Sequence, residues 1–198
     1  MTGIFELHQK MTAHLFPSFS SEDERFLALA LCGEAGELAN YIKKRWRDGV
    51  DLKEEIRDEI ADIRVYLELI ARCFDIDGDK MERLFRDTLI IEPNFDNERF
   101  ISLALCHRVG KLAGIIETRW ITNEDVMRGT AQNDIVNIRV YLEMIARIFL
   151  IEGKKLDHRV EQKLAKVIQK HGIKMDKDET ASEHIGMSSY TRSQDTLR

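Results

Sequence analysis

Proline is almost missing from this sequence: 198 residues contain two, and glycine adds only eleven. Average usage is about 5% proline and 7% glycine. A sandwich or barrel with many tight turns needs more breakers, so their scarcity favours long helices. Cysteine is sparse too. Three thiols, at 32, 73 and 106, form neither a CxxC nor a disulfide-framework spacing, which predicts buried thiols in a reducing compartment. No run of eighteen apolar residues occurs and MTGIFELHQK has no signal-peptide core. A soluble cytoplasmic protein with no membrane partner is therefore expected. An excess of positive charge is likewise absent. Thirty basic against 35 acidic residues leave a net charge of −5, without the global basic field of a dedicated nucleic-acid binder. The six histidines show no zinc spacing, and neither a P-loop nor a GxGxxG is present. The run Asp75-Ile-Asp77-Gly78-Asp79 looks calcium-like, but its glycine stands fourth where an EF-hand loop has it sixth, so it reads as a loop.

What is present is repetition. Residues 26–46 and 100–120 agree at eleven of 21 positions, including Cys32/Cys106, Gly36/Gly110 and Arg45-Trp46/Arg119-Trp120. IRVYLELIARCF at 63–74 recurs as IRVYLEMIARIF at 138–149, ten of twelve identical. The offset grows from 74 to 75 between the blocks, so the chain is a tandem duplication with one inserted loop residue. Each copy has helical periodicity and 43% of the chain is hydrophobic, enough for a core. Ser21 with Glu24 and Asp51 with Glu54 have the spacing of capping boxes. The first long helix is expected to end near Arg47-Asp48-Gly49, and the second near Cys73. Shorter helices are expected over about 79–89 and 155–170, with another near 3–15. The shared apolar set Leu29, Leu31, Leu38, Ile63, Val65, Leu67 and Ile70 is expected in the core. The expected fold is all-α, a helical bundle of two tandem repeats. Its parts are 1–92 with an N-terminal helix, 93–172, and a polar extension at 173–198.

Charge on the helix faces carries the functional signal. Glu34 and Glu37 lie one turn apart, and Tyr41 and Lys44 continue that face. Glu55, Glu59, Asp62 and Tyr66 form a second stripe on the next helix. A helical hairpin brings the two stripes together. Two carboxylates about 4 Å apart repel by roughly 4 kcal/mol at an effective dielectric near 20. Four converging need cations, and oxygen ligands without cysteine or histidine select Mg²⁺, with Mn²⁺ as a substitute. A solvated face is the commoner reason for charges at this spacing. Here the stripe lies beside apolar positions and among small residues, and Gly36 within a helix suggests close helix approach.

Glu34-x-x-Glu37, twenty-one residues, then Glu59-x-x-Asp62, set in LCGEAGELAN and DEIADIRVYL, resembles the signature of the MazG-like all-α nucleoside triphosphate pyrophosphohydrolases. Dimeric dUTPases, dCTPases and phosphoribosyl-ATP pyrophosphohydrolase are similar. The match covers about residues 20–90. The resemblance implies that Glu34, Glu37, Glu59 and Asp62 hold Mg²⁺ and that a nucleoside triphosphate is cleaved to monophosphate and pyrophosphate. On that reading a water held by the metal, or deprotonated by Glu55, attacks the α-phosphorus. Lys44 is the best phosphate contact, with Lys43 and Arg47 as lesser candidates whose other role is a solvated basic helix end. Tyr41 or Trp46 would stack on a base, although core packing is the commoner role.

The second copy keeps the framework and loses the chemistry. Glu34, Glu37, Glu59 and Asp62 correspond to Arg108, Lys111, Asp134 and Asn137, and Glu55 to Thr130. Arg108 or Lys111 is expected to pair with Asp134, a protein-borne cation replacing the ion. Because such enzymes usually pair, the duplication implies an intrachain pseudo-dimer with one active half, open to further pairing of whole chains into a homodimer. Three readings stay in play: a Mg²⁺-dependent pyrophosphohydrolase, a nucleotide-binding or regulatory module whose degenerate half serves a partner, and a structural bundle.

Overall fold

The computed structural model describes residues 21–76, 78–91, 97–122, 127–151 and 153–170. They form six helices, with no strand among the described residues: α1 Ser21–Asp48, α2 Lys53–Cys73, α3 Gly78–Ile91, α4 Glu98–Thr122, α5 Arg128–Ile148 and α6 Gly153–Lys170. The helix expected near 3–15, the Glu92-Pro93-Asn94 boundary and the polar extension fall outside the described residues. None of the described helices is long and apolar enough to cross a membrane.

Local chemistry sets the helix ends. Gly49, at φ +69°, closes α1 with its N–H 2.9 Å from the Arg45 carbonyl. The expected capping box does not form: Leu52 is the N-cap and has no side-chain cap, Asp51 accepts from the Lys53 N–H only two residues on at 3.2 Å, and Glu54 turns to Arg57. The ends of α2 and α5 are twins. Asp75 and Leu150 take positive φ, and the following Ile76 and Ile151 donate to Ala71 at 3.0 Å and Ala146 at 2.8 Å. Those six-residue closures are Schellman-type, and Ile76 and Ile151 bury their side chains under the turn. Asp75 also ion-pairs with Arg128, and Asp77 of the calcium-like run lies outside the described residues.

Packing joins the two copies. α1 packs on α2 and on α4, α4 on α5, and α2 also on α5. The third helix of each copy crosses over: α3 lies on α5, and α6 lies on α2. Leu31, Leu38, Ile63, Leu67 and Ile70 enter one continuous core with Leu105, Leu112, Ile138, Leu142 and Ile145. The helices α1 and α4 run antiparallel, pinned by mirrored contacts at both ends. Arg25 sits 4.2 Å from the Trp120 ring centroid and Arg99 4.8 Å from that of Trp46. Arg119 pairs with Glu24 at 3.1 Å, and Arg45 with Glu98 at 3.5 Å. Cys32 and Cys106 are half-buried near this crossing, the Cys106 thiol 3.9 Å from the Ala35 carbonyl.

Three expectations for α1 fail here. Leu29 is 75% exposed and its equivalent Leu103 is 72% exposed, whereas Val65 on α2 is half-buried and packs against the core. Leu29 stands about 200° around the helix from Leu27, facing away from the core. On the same outer face Gly36 is exposed, and a Cβ there would meet nothing within 4 Å, so no close helix approach explains it. Trp46 is 63% exposed, beneath Arg99 and outside the core.

Candidate metal centre

The α1–α2 hairpin brings the two acidic stripes together, as their spacing predicts. One carboxylate oxygen each from Glu34, Glu59 and Asp62 lie within 4.8 Å of one another. Glu59 and Asp62 are one turn apart on α2, flanked by the buried Ile56, Ile60 and Ile63 that press α2 into the core. Glu34 stands beside Leu31, Ala35 and Leu38 on the buried side of α1. Glu37 is exposed and outside this trio, although its charge still reaches both Glu34 and Glu59.

Electrostatics make the trio costly without a cation. Burial, a hydrogen bond to Glu34 and the neighbouring charges push Glu59 up to about 8. Burial also raises Glu34 and Asp62. Glu59 is only 8% exposed, and its Oε2 finds no hydrogen-bond partner among the described residues. A buried carboxylate oxygen without a partner costs about 1–3 kcal/mol, more if charged. Oxygen donors converging on an unsatisfied oxygen fit a hard divalent cation. The Tyr66 hydroxyl is raised by burial and by the charges of Glu34 and Asp62, so it belongs to this environment and keeps its proton.

A fourth group enters from the other copy. The Lys163 ammonium on α6 ion-pairs with Asp62 and donates to the Asp58 carbonyl at 2.9 Å. Arg159, one turn earlier, holds the Asp58 carboxylate with its Nε 2.7 Å from Oδ1. Neither Asp58, Arg159 nor Lys163 stands out by periodicity, because α6 reads alone as an ordinary amphipathic helix. A signal exists in the repeat itself. Asp58 and Asp62 correspond to Asn133 and Asn137, while Arg159 and Lys163 correspond to Leu84 and Thr88. The charges occur only in the combination that meets across the crossover.

The remaining candidates do not join the trio. Glu55 is exposed and is not among the carboxylates that converge. Lys44 is half-buried, its ammonium 5.3 Å from the Tyr41 ring centroid. Lys43 is exposed, and Arg47 is held by Asp48, Nε to Oδ1 at 2.6 Å.

At the equivalent place in the second copy Asp134 is 1% exposed, with Arg108 at 2.9 Å and Lys111 at 3.7 Å. Both expected cations therefore meet the acid. Tyr141, the equivalent of Tyr66, hydrogen-bonds Arg108. Compared with known proteins, the chain matches no family model, no curated sequence and no solved structure.

Proposed function

We propose that the chain is a Mg²⁺-dependent nucleotide pyrophosphohydrolase that cleaves a nucleoside or deoxynucleoside triphosphate to monophosphate and pyrophosphate. It has one site per chain. The observation that carries this reading is the convergence of Glu34, Glu59 and Asp62 around a nine-tenths-buried Glu59 oxygen that has no partner among the described residues. Glu34, Glu59 and Asp62 would hold the metal, and Glu37 adds negative charge at the rim. A divalent cation here would neutralise the phosphate chain and acidify water. Tyr41 and Lys44 lie further along α1, about 10 and 15 Å of helix rise from Glu34, with the ammonium over the ring. The second copy has Arg108 and Lys111 in place of two acids, so it serves as scaffold, and the two copies form an intrachain pseudo-dimer.

One observation favours the second reading, a nucleotide-binding module with weak turnover. Glu55 stands exposed and apart, which leaves no additional carboxylate converging on the trio among the described residues.

Purified protein incubated with NTPs and dNTPs plus Mg²⁺ should release monophosphate and pyrophosphate from at least one of them. Glu59→Gln should lower that turnover by at least roughly a hundredfold, since even residues behind a metal ligand cost 10–100-fold. Asp134→Asn should leave it near wild type, because Arg108 and Lys111 occupy that place. Equal losses in both variants would overturn the single-site reading. Nucleotide binding without pyrophosphate release would select the binding module, and no metal-dependent binding would remove both.

A further inference from the structure

Three carboxylates and an ammonium in one place raise the question of what the ammonium is for. A lysine placed only to dock α6 would suffice anywhere along α2, and α6 already docks there twice. Arg64 takes Asp157 at 2.7 Å, and Arg159 takes Asp58. Among the described residues Lys163 is the cation that ion-pairs with an acid of the converging trio, while Arg159 reaches Asp62 only through its field. The same α6 turn also reaches the Asp58 carbonyl, so the ammonium is held by two oxygens of α2. It is not sealed in, because its side chain keeps 21% exposure and that of Asp62 29%. A cation held by a half-exposed carboxylate on a flexible four-carbon stem is exchangeable. In the other copy a protein cation also neutralises the acid, but there Asp134 is 1% exposed, and two cations crowd the space. The acid is sealed in one arrangement and part-exposed in the other.

We infer that Lys163, supplied by the second copy, is the resident counter-cation of the first copy's acid trio, which yields Asp62 to a divalent metal and then turns to the anionic phosphates of the substrate. The inference rests on the proposed metal site. The degenerate copy then contributes a side chain to the working site besides scaffolding it. The pattern across the repeat accords with this, since the second copy has Asn133 and Asn137 for Asp58 and Asp62, and Leu84 and Thr88 for Arg159 and Lys163.

The test is Mn²⁺ binding followed by electron paramagnetic resonance, without nucleotide, on the full chain and on Lys163→Met and Lys163→Arg. Lys163→Met removes the competitor and should tighten Mn²⁺ binding about fivefold, the order expected for releasing one half-exposed ion pair. For the triphosphate that the full chain hydrolyses, the same variant should raise KM about tenfold with a smaller change in kcat, as for a lost charge-assisted phosphate contact. Lys163→Arg should stay near wild type in Mn²⁺ affinity, because the charge remains. Far-UV circular dichroism with an unchanged Tm shows that the methionine variant is folded; if it is not, Lys163→Gln replaces it. Wild-type Mn²⁺ binding with an unchanged or weaker affinity in Lys163→Met overturns this inference alone. Tighter Mn²⁺ with an unchanged KM overturns its phosphate arm. No Mn²⁺ binding by the wild type overturns the metal site and this inference together.

Discussion

Glu59 and Asp134 occupy equivalent positions and face the same difficulty, a carboxylate inside a helical core. Asp134 meets two cations, whereas Glu59 meets two more acids, and burial, with the Glu34 hydrogen bond and the repulsion, lifts it to about 8 from an ordinary 4.5. The sign of the pH dependence follows. Between these values the folded chain keeps a proton that the unfolded chain has released, so stability falls as pH rises through that window. The Tm of metal-free protein, followed by scanning calorimetry, should therefore decline from about pH 5.5 to 8.5, to an extent set by one proton. Glu59→Gln should flatten that decline, and Mn²⁺ should lift Tm most at the alkaline end. A flat wild-type profile would mean that Glu59 is ionised throughout. Much of this site was legible because its acids are local: Glu34 and Glu37, and Glu59 and Asp62, are one-turn neighbours that the helical period places on a face. The same period could not say that Glu37 would remain exposed. Lys163 lies 101 residues from Asp62 and belongs to no acidic pattern, so the pair emerges only when the two copies are compared helix by helix.

At the scale of elements, sequence punctuation worked where the chain used its usual residue. Gly49 marks the end of α1 and has the positive φ that this end requires. The ends of α2 and α5 use the same left-handed turn with Asp75, a type that tolerates it, and Leu150, which carries no such signal. Leucine is costly there. The left-handed conformation disfavours a side chain with a Cβ by roughly 1–2 kcal/mol, while glycine loses about 0.5–1 kcal/mol more backbone freedom on folding. Leu150 is 79% exposed, so its side chain adds little burial to set against the strain. Leu150→Gly should therefore stabilise the protein by about 0.5–1 kcal/mol, read as a higher urea midpoint at unchanged slope. A loss of stability would mean that Leu150 is covered in solution. Helical periodicity also misplaced Leu29. Its spacing to Phe26 and Gly33 is helical, but that stripe is the outer one, and a long helix with apolar residues on both faces cannot be oriented from spacing alone.

The whole molecule is tied together by crossing over. α3 rests on the second copy and α6 on the first, and α1 is pinned to α4 at both ends by arginines over tryptophans. Severing the copies would strip core contacts from both, so neither has a complete apolar core of its own. Two tandem repeats invite the expectation of two unfolding units, but one continuous core predicts a single transition. The two tryptophans offer one reporter per copy. Trp46 lies at the end of α1 beneath Arg99 of the other copy, and Trp120 at the end of α4 beneath Arg25. Trp120→Phe leaves only the first reporter and Trp46→Phe only the second. Both rings are largely exposed, so each replacement should cost at most about 1 kcal/mol, the scale of an exposed cation–π contact. In urea, fluorescence of each single-tryptophan variant should then give the midpoint and slope that far-UV circular dichroism gives for the same variant. Two separated midpoints would show that the copies unfold independently. In that case α6 could leave α2 while the first copy stayed folded, and Lys163 would no longer be bound to the fate of the acid trio.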